Sequence, residues 1–237
     1  MNKYFSSFLI LLLLSFLSTI TLADSRTKTY DYKDFRGVSV GSGMQVTVTQ
    51  SNSYSISITA DERDFKDLVV EKRGNSLDIH YDRSIWGWFG HHRRGNVKIK
   101  ITMPELTEID LSGGAEGNIT MDISGKSFSA ETSGGAELMG DLTCGNISVE
   151  TSGGSKVELS GKGENLNAEG SGGSRIKLRN FSVKNVNADL SGGSTVWVNM
   201  NGKLNSDQSG GSHLYYYGNV SLGNTSFSGG AGVSRGD

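Results

Sequence analysis

Residues 147–159 read ISVETSGGSKVEL and residues 166–178 read LNAEGSGGSRIKL, two stretches of matching pattern that lie 19 residues apart. Their shared Ser-Gly-Gly occurs seven times in the chain, at intervals of 18 to 21 residues. The copies begin at Ser112, Ser133, Ser152, Ser171, Ser191, Ser209 and Ser228. A repeat of about 20 residues predicts a solenoid, in which each unit buries its apolar face by stacking on its neighbours.

Side chains alternate between apolar and polar on both sides of each Ser-Gly-Gly, which is the pattern of β-strands. After the corner serine Ser152, for example, Val157 and Leu159 are apolar, whereas Lys156 and Glu158 are charged. Two or three short strands per repeat, each paired with its counterpart one coil on, define a parallel β-helix. We therefore predict an all-β fold, a β-solenoid with coils of about 19–20 residues.

Glycine explains the corners, because it adopts positive φ angles without steric cost. Each of the seven corners contains two of the 33 glycines. Three residues after the corner serine stands a small residue, which we expect to point into a narrow interior and, where it is serine, to hydrogen-bond along the column. This column contains Ala115, Ala136, Ser155, Ser174, Ser194, Ser212 and Ala231.

The predicted domain organisation is simple. Residues 1–23 have one lysine, an apolar run and Thr21-Leu22-Ala23, the pattern of a cleaved signal peptide. Residues 24–34 form a lead, and residues 35–230 form a single β-solenoid domain. Within it, residues 35–106 make irregular first coils that act as a β cap, and residues 107–230 carry the repeats. Residues 231–237 are expected to be a flexible tail.

Composition narrows the function classes. Without Lys3, which lies in the signal segment, 22 basic residues face 25 acidic ones, so nucleic acid is not an expected partner. Cys144 is the only cysteine, which excludes an intramolecular disulfide, and we expect it to be a buried, inert thiol. Export predicts a location in the periplasm, on the outer-membrane surface or outside the cell.

Three features resemble a known family. Residues 35–48 read FRGVSVGSGMQVTV, a later strand closes on Met103-Pro104-Glu105-Leu106, and the Ser-Gly-Gly corners follow. Together they resemble the bacterial family described as the putative autotransporter adhesin head GIN domain, over about residues 35–230. The resemblance implies a right-handed β-solenoid on an exported protein, and it supplies no catalytic residues.

An acidic residue stands two positions before the serine in six of the seven copies, and we call this set the acidic ladder. It contains Asp110, Glu131, Glu150, Glu169, Asp189 and Asp207. Strands in register would stack these carboxylates at roughly 5 Å, where adjacent like charges cost about 1 kcal/mol even in a water-like dielectric. Three interpretations stay open: a solvated face screened by salt and by basic residues such as Lys156 and Arg175, a site for cations such as Ca²⁺, or a surface that meets a cationic partner.

The ladder does not have the pattern of an enzyme. Glycoside hydrolysis needs two carboxyl groups in different environments at one place, whereas the same residue type repeats here in every coil. The four histidines, His80, His91, His92 and His213, do not have the spacing of metal ligands with nearby carboxylates. We therefore predict a protein that is not an enzyme, with no catalytic residue, no metal site and no cofactor; calcium at the ladder stays open as an alternative.

Two further segments stand out. Residues 85–94 read IWGWFGHHRR, which places aromatic rings next to cations, as in contact loops for sugars, membranes or proteins. The candidate binding residues are Trp86, Trp88, Phe89, His91, His92, Arg93 and Arg94; the alternative is that the two tryptophans cover the cap. The chain ends in Arg235-Gly236-Asp237, the tripeptide that integrins recognise, for which chance is the simplest explanation.

The sequence thus favours an exported, non-catalytic binding or structural module of the bacterial envelope. Adhesion to a glycan or protein on a cell surface is the leading function. Two alternatives remain: a polysaccharide-processing β-helix enzyme, and a scaffold that forms homo-oligomers end to end.

Overall fold

The computed structural model describes residues 25–82 and 95–237. It is all-β, with 63% strand and 2% helix, and its coils repeat about every 20 residues. The predicted β-solenoid is therefore confirmed. Most coils consist of two strands, one in each of two sheets, and the side chains between the sheets form the core.

Sheet 1 takes the strand that follows each Ser-Gly-Gly corner. Its eleven strands lie in the spatial order β1 (Ser25–Tyr30), β4 (Ser55–Asp61), β7 (Lys98–Met103), β3 (Gln45–Gln50), β9 (Glu116–Asp122), β11 (Glu137–Thr143), β13 (Lys156–Lys162), β15 (Arg175–Val183), β17 (Thr195–Met200), β19 (His213–Tyr217) and β21 (Gly232–Arg235), counted within the described residues.

Sheet 2 takes the strand that precedes each corner. Its ten described strands lie in the order β20 (Val220–Phe227), β18 (Gly202–Gln208), β16 (Asn185–Leu190), β14 (Asn165–Gly170), β12 (Ile147–Thr151), β10 (Phe128–Thr132), β8 (Glu108–Leu111), β2 (Gly37–Val40), β6 (Ser76–Tyr81) and β5 (Leu68–Arg73). One short helix, α1 (Asp64–Asp67), comes between β4 and β5.

Parallel pairing in register stacks the same column of side chains through successive coils. Val157 of β13 pairs with Ile176 of β15, which pairs in turn with Val196 of β17, and all three are fully buried. At each corner the first glycine has a positive φ, for example 68° at Gly172. The expected corner role of glycine is confirmed there.

The column of small residues is buried as predicted except for Ala231, which is partly exposed, but its hydroxyls bond to the backbone rather than along the column. The Oγ of Ser155 donates to the carbonyl of Ser152 at 2.8 Å, and the Oγ of Ser194 donates to the carbonyl of Gly170 at 3.1 Å. The hydroxyl of Ser174 is buried without a hydrogen-bond partner.

The N-terminal end of the solenoid is a cap of antiparallel strands. β1 pairs with β4 and β4 with β7, and in sheet 2 β5 pairs with β6. Part of the predicted lead, Ser25–Tyr30, is therefore strand β1 of this cap. Such pairing closes the end of a stack that would otherwise present parallel edges.

Among residues 25–82 and 95–237, no antiparallel strand pairs with the last coil at the C-terminal end. β20 and β21 are the edge strands of the two sheets, and Leu222 and Phe227 of β20 are 55% and 46% exposed. The expectation of a flexible tail over residues 231–237 was wrong, because Gly232–Arg235 pairs with β19 and the amide of Gly236 donates to the carbonyl of Tyr216 at 2.9 Å. Backbone hydrogen bonds hold this segment on the last coil.

The expectation for the single cysteine can be compared with the structure. Cys144 is buried, and burial raises the pKa of its thiol to about 11, as expected for an inert group. No helix among residues 25–82 and 95–237 has the length and apolar character needed to span a bilayer.

Candidate functional site

The acidic ladder is continuous on the outer face of sheet 2. Asp110 pairs with Glu131, Glu131 with Glu150, and Glu150 with Glu169. The series continues through Asp189 to Asp207 and ends opposite Ser226. The register predicted from the sequence therefore brings all six carboxylates into one column, with a strand spacing of about 4.8 Å.

The screening by Lys156 and Arg175 expected from the sequence was wrong. Both residues lie on sheet 1, after the corner, whereas the ladder lies on sheet 2, before it. The central strands of sheet 2, β8, β10, β12, β14 and β16, contain no lysine, arginine or histidine. The corner thus separates the ladder from the cations that follow it in sequence.

Burial is the main cause of a raised pKa at two ladder carboxyls. Burial, followed by the charges of Asp110, Glu150 and Glu108, raises the pKa of Glu131. Burial also raises the pKa of Asp110, although the hydroxyl of Ser39 donates to its Oδ2 at 3.1 Å and acts in the opposite direction. Ionisation of Glu131 and Asp110 is therefore less favourable in the folded protein than in the unfolded chain.

Amides form columns beside the acids. The Nδ2 of Asn165 donates to the Oδ1 of Asn146 at 2.8 Å, and the Nδ2 of Asn185 donates to Asn165 at 2.9 Å. In a second column, Asn205 donates to Asn187 at 2.9 Å. Hollows of about 330 and 650 Å³ lie over these columns. The outer face of sheet 2 therefore presents carboxylates, amides and hydroxyls in parallel rows.

The outer face of sheet 1 has different chemistry, because acids and bases form ion pairs on its central strands. The Nζ of Lys156 lies 2.7 Å from Glu137 and 2.9 Å from Glu158. The Nζ of Lys177 lies 3.7 Å from Glu158. Lys156 thereby lowers the pKa of Glu158, the opposite of the effect at the ladder. Glu137 and Glu158 on sheet 1 thus have a cationic partner, whereas the central ladder strands of sheet 2 carry no basic residue.

A small cluster at the N-terminal edge of sheet 2 was missed by sequence reasoning. Ligand atoms of Glu71, Asp78 and His80 lie within 4.8 Å of one another, so a carboxylate does lie near a histidine, contrary to expectation. The hairpin of β5 and β6 brings them together, and its Gly74-Asn75 turn is the sequence signal that could have found it. Arg73 lies 2.5 Å from Glu71 and 3.0 Å from Asp78, so a guanidinium already neutralises both acids.

The predicted contact loop lies outside the described residues. Its seven candidates, Trp86 to Arg94 with Trp88, Phe89, His91, His92 and Arg93, therefore stay a prediction, as does the signal peptide. The Arg235-Gly236-Asp237 tripeptide is described. Arg235 ends strand β21, and the Nη2 of Arg179 donates to the carbonyl of Asp237 at 2.7 Å. The tripeptide is held against the last coil rather than extended from it.

Comparison with known proteins decides the family. The model of the family described as putative auto-transporter adhesin, head GIN domain, matches residues 34–220. The chain belongs to this family. The family resemblance inferred from the sequence over about residues 35–230 is thus confirmed, with a match over residues 34–220.

Solved structures share the fold of this GIN domain. A putative adhesin from Bacteroides fragilis superposes with a TM-score of 0.77 at 20% identity, covering 88% of this chain and 95% of that one. A putative lipid binding protein from Parabacteroides distasonis gives 0.68 at 19% identity, covering 90% and 97%. A putative adhesin from Parabacteroides merdae gives 0.58 at 18% identity, covering 90% and 96%. No match was found among curated proteins.

Proposed function

We propose that this protein is an exported, non-catalytic attachment module of the bacterial envelope, which binds a glycan or protein on a cell surface through the outer face of sheet 2. The observation that carries the proposal is the acidic ladder, which repeats in register through six coils and in five of them lies on a strand without a basic residue. A repeated row of like groups matches a partner that is itself repetitive, such as a polymer or a surface array. Membership in a family named for adhesins supports the same role.

The ladder also supports a role without catalysis. Acid–base chemistry uses carboxyl groups whose pKa values are pushed apart by different surroundings. The pKa of Glu131 and the pKa of Asp110 are instead both raised, each chiefly by burial. The arrangement thus provides many copies of one group rather than one pair of unlike groups.

The test compares two faces of the same molecule. Combined Glu131→Gln, Glu150→Gln and Glu169→Gln substitutions remove three central charges while preserving shape, and they relieve repulsion, so the variant should fold. We expect it to lose binding to bacterial cells and to the array glycans that carry no acidic group, measured with and without calcium. Glu158→Gln, on sheet 1, is the matched control and should bind normally.

Two results would contradict the proposal. Unchanged binding by the triple variant would remove the ladder from the contact surface. Turnover of a bacterial or host glycan that Glu150→Gln abolishes would make the protein a polysaccharide-processing enzyme. A requirement for calcium would instead show that bound cations mediate attachment, since oxygen-rich arrays suit this ion.

A second candidate function, end-to-end assembly, is favoured by the exposed apolar residues Leu222 and Phe227 at the uncapped end. Open parallel edges beside apolar side chains promote strand pairing between molecules. Sedimentation at increasing concentration should show larger species, and the combined Leu222→Asp and Phe227→Asp substitutions should abolish them. A monomer at every concentration would exclude this role.

A further inference from the structure

The outer face of sheet 1 carries a ladder of aromatic rings near the C-terminal end. Trp197 of β17 pairs with Tyr215 of β19, and their rings stack with centroids 5.9 Å apart and planes inclined by 14°. The imidazole of His213 lies 5.9 Å from the ring of Tyr215 at an angle of 27°. All three side chains are partly exposed. Three rings therefore form one continuous surface rather than scattered contacts.

This ring surface is open on the side of the last coil. On β21, Gly232 pairs with His213 and Ser234 pairs with Tyr215. Both residues of β21 are small. A Cβ placed on Gly232 would have only the Nε2 of His213 within 4 Å, at 3.7 Å. Small residues therefore lie beside the rings on the last coil.

Positive charge surrounds the rings. Arg175 and Lys177 of β15 lie one coil before Thr195 and Trp197, in the same two columns. Strands β15, β17, β19 and β21 contain no aspartate or glutamate. Among the described residues, Arg175 has no ion-pair partner, and Lys177 has only Glu158, at 3.7 Å. Arg179 adds a third cation beside the ring of Tyr217, 4.5 Å from its centroid.

We propose that this aromatic–basic patch, made of Arg175, Lys177, Trp197, His213 and Tyr215, binds an acidic polysaccharide of the uronate type. Sugar rings present C–H groups that pack against the electron-rich faces of aromatic rings, and their carboxylates complement unpaired cations. A chain of sugars lying along the solenoid axis meets one coil about every 4.8 Å, a spacing close to the length of one sugar residue. The ligand crosses the cations of β15 and then the rings of β17 and β19.

The patch is independent of the ladder that carries the proposed function. The two faces point in opposite directions from sheets packed about 10 Å apart, so salt at physiological strength screens one from the other over a Debye length of about 8 Å. An anionic polymer is attracted to the patch and repelled by the ladder. The protein thereby has two faces that select ligands of opposite charge.

The test uses polygalacturonate as the acidic probe and dextran as the neutral one. We expect the full exported chain to bind polygalacturonate, more weakly at high salt, and not dextran. Tyr215→Ala and Lys177→Gln should each weaken binding by about tenfold, the loss that about 1.4 kcal/mol produces. Lys177→Gln changes an exposed side chain, so it keeps the test valid if Tyr215→Ala unfolds.

The control is Glu150→Gln, on the opposite face, which should leave polygalacturonate binding unchanged or slightly stronger. Equal affinity of the wild type, Tyr215→Ala and Lys177→Gln would overturn the proposal, as would binding of dextran with equal affinity. Vesicles of phosphatidylglycerol provide the last comparison, because aromatic and basic residues also suit anionic membranes. Binding to these vesicles without binding to polygalacturonate would replace the polysaccharide with a lipid surface.

Discussion

The corner glycines allow a prediction in which neighbouring residues respond in opposite ways. Gly172 and Gly173 occupy the same Ser-Gly-Gly corner, but only Gly172 has a positive φ, at 68°. A Cβ on Gly172 would lie 2.9 Å from the carbonyl oxygen of Gly153 in the preceding coil, whereas a Cβ on Gly173 would lie 3.7 Å from it. Gly172→Ala and Gly173→Ala are the same change of residue type, so a difference between them reports the effect of backbone conformation and of the contact with Gly153.

The magnitudes follow from these two geometries. For Gly172→Ala, the left-handed conformation costs about 1–2 kcal/mol and crowding adds about 1–3 kcal/mol. Alanine also reduces the conformational entropy of the unfolded chain, which stabilises the folded state by about 0.4–1 kcal/mol. The net change is a loss of about 3 kcal/mol in the free energy of unfolding. For Gly173→Ala only the last effect remains, so we expect a gain of about 0.4–1 kcal/mol.

Urea unfolding followed by circular dichroism measures both changes from the shift of the midpoint at unchanged slope. Gly172→Ala should move the midpoint down and Gly173→Ala should move it slightly up. If the two variants lose equal stability, or if Gly172→Ala matches the wild type, then the corner does not depend on the left-handed conformation of its first glycine.

Three further predictions concern single side chains. Because burial and neighbouring carboxylates raise the pKa of Glu131 above its ordinary 4.5, Glu131→Gln should increase the free energy of unfolding at neutral pH, by no more than about 0.5 kcal/mol because solvent screens this exposed side chain. This gain should vanish as the pH falls through the raised pKa and should shrink in high salt. Glu158→Gln should instead decrease the free energy of unfolding by up to about 1 kcal/mol. A stability change of the same sign in both variants would contradict the difference between the two faces. Ser174→Ala removes a buried hydroxyl without a hydrogen-bond partner and should raise the free energy of unfolding by about 1 kcal/mol. Ser155→Ala removes a bonded hydroxyl and should lower the free energy of unfolding. A loss of stability in both variants would show that the Ser174 hydroxyl is bonded. Cys144 should react with a thiol reagent at mildly alkaline pH only after unfolding, and fast labelling of the native protein would show that the coil opens there.

The repeat made the central part of the fold predictable. Because each coil buries its apolar columns only by stacking on the next, the 19-residue match between Val157 and Ile176 implied their pairing, which the register confirms. The same reasoning placed the acidic ladder in one column. The repeat determines which side chains stack on one another. It therefore predicts that the acids of the ladder stack, but not which residues lie beside them.

The remaining features depend on contacts that the repeat does not encode. Glu150 and Lys156 are six residues apart in sequence, which suggested that the cation screens the acid, but the corner between them sends the chain to the other sheet. The cap has no repeat, so the antiparallel pairing that brings Glu71 to His80 could be read only from the Gly74-Asn75 turn. Both differences arise from how the chain turns between strands.

The two terminal strands, β1 and β21, lie at opposite ends of sheet 1. A load applied between them acts along the stack, so it opens one row of hydrogen bonds at a time. A coil of about 19 residues extends to roughly 65 Å when pulled out, against about 5 Å when stacked. A single-molecule stretching experiment should therefore record lengthening in regular steps of about 60 Å, beginning at the uncapped end. A tether built this way yields gradually under tension and shortens again when the force is released.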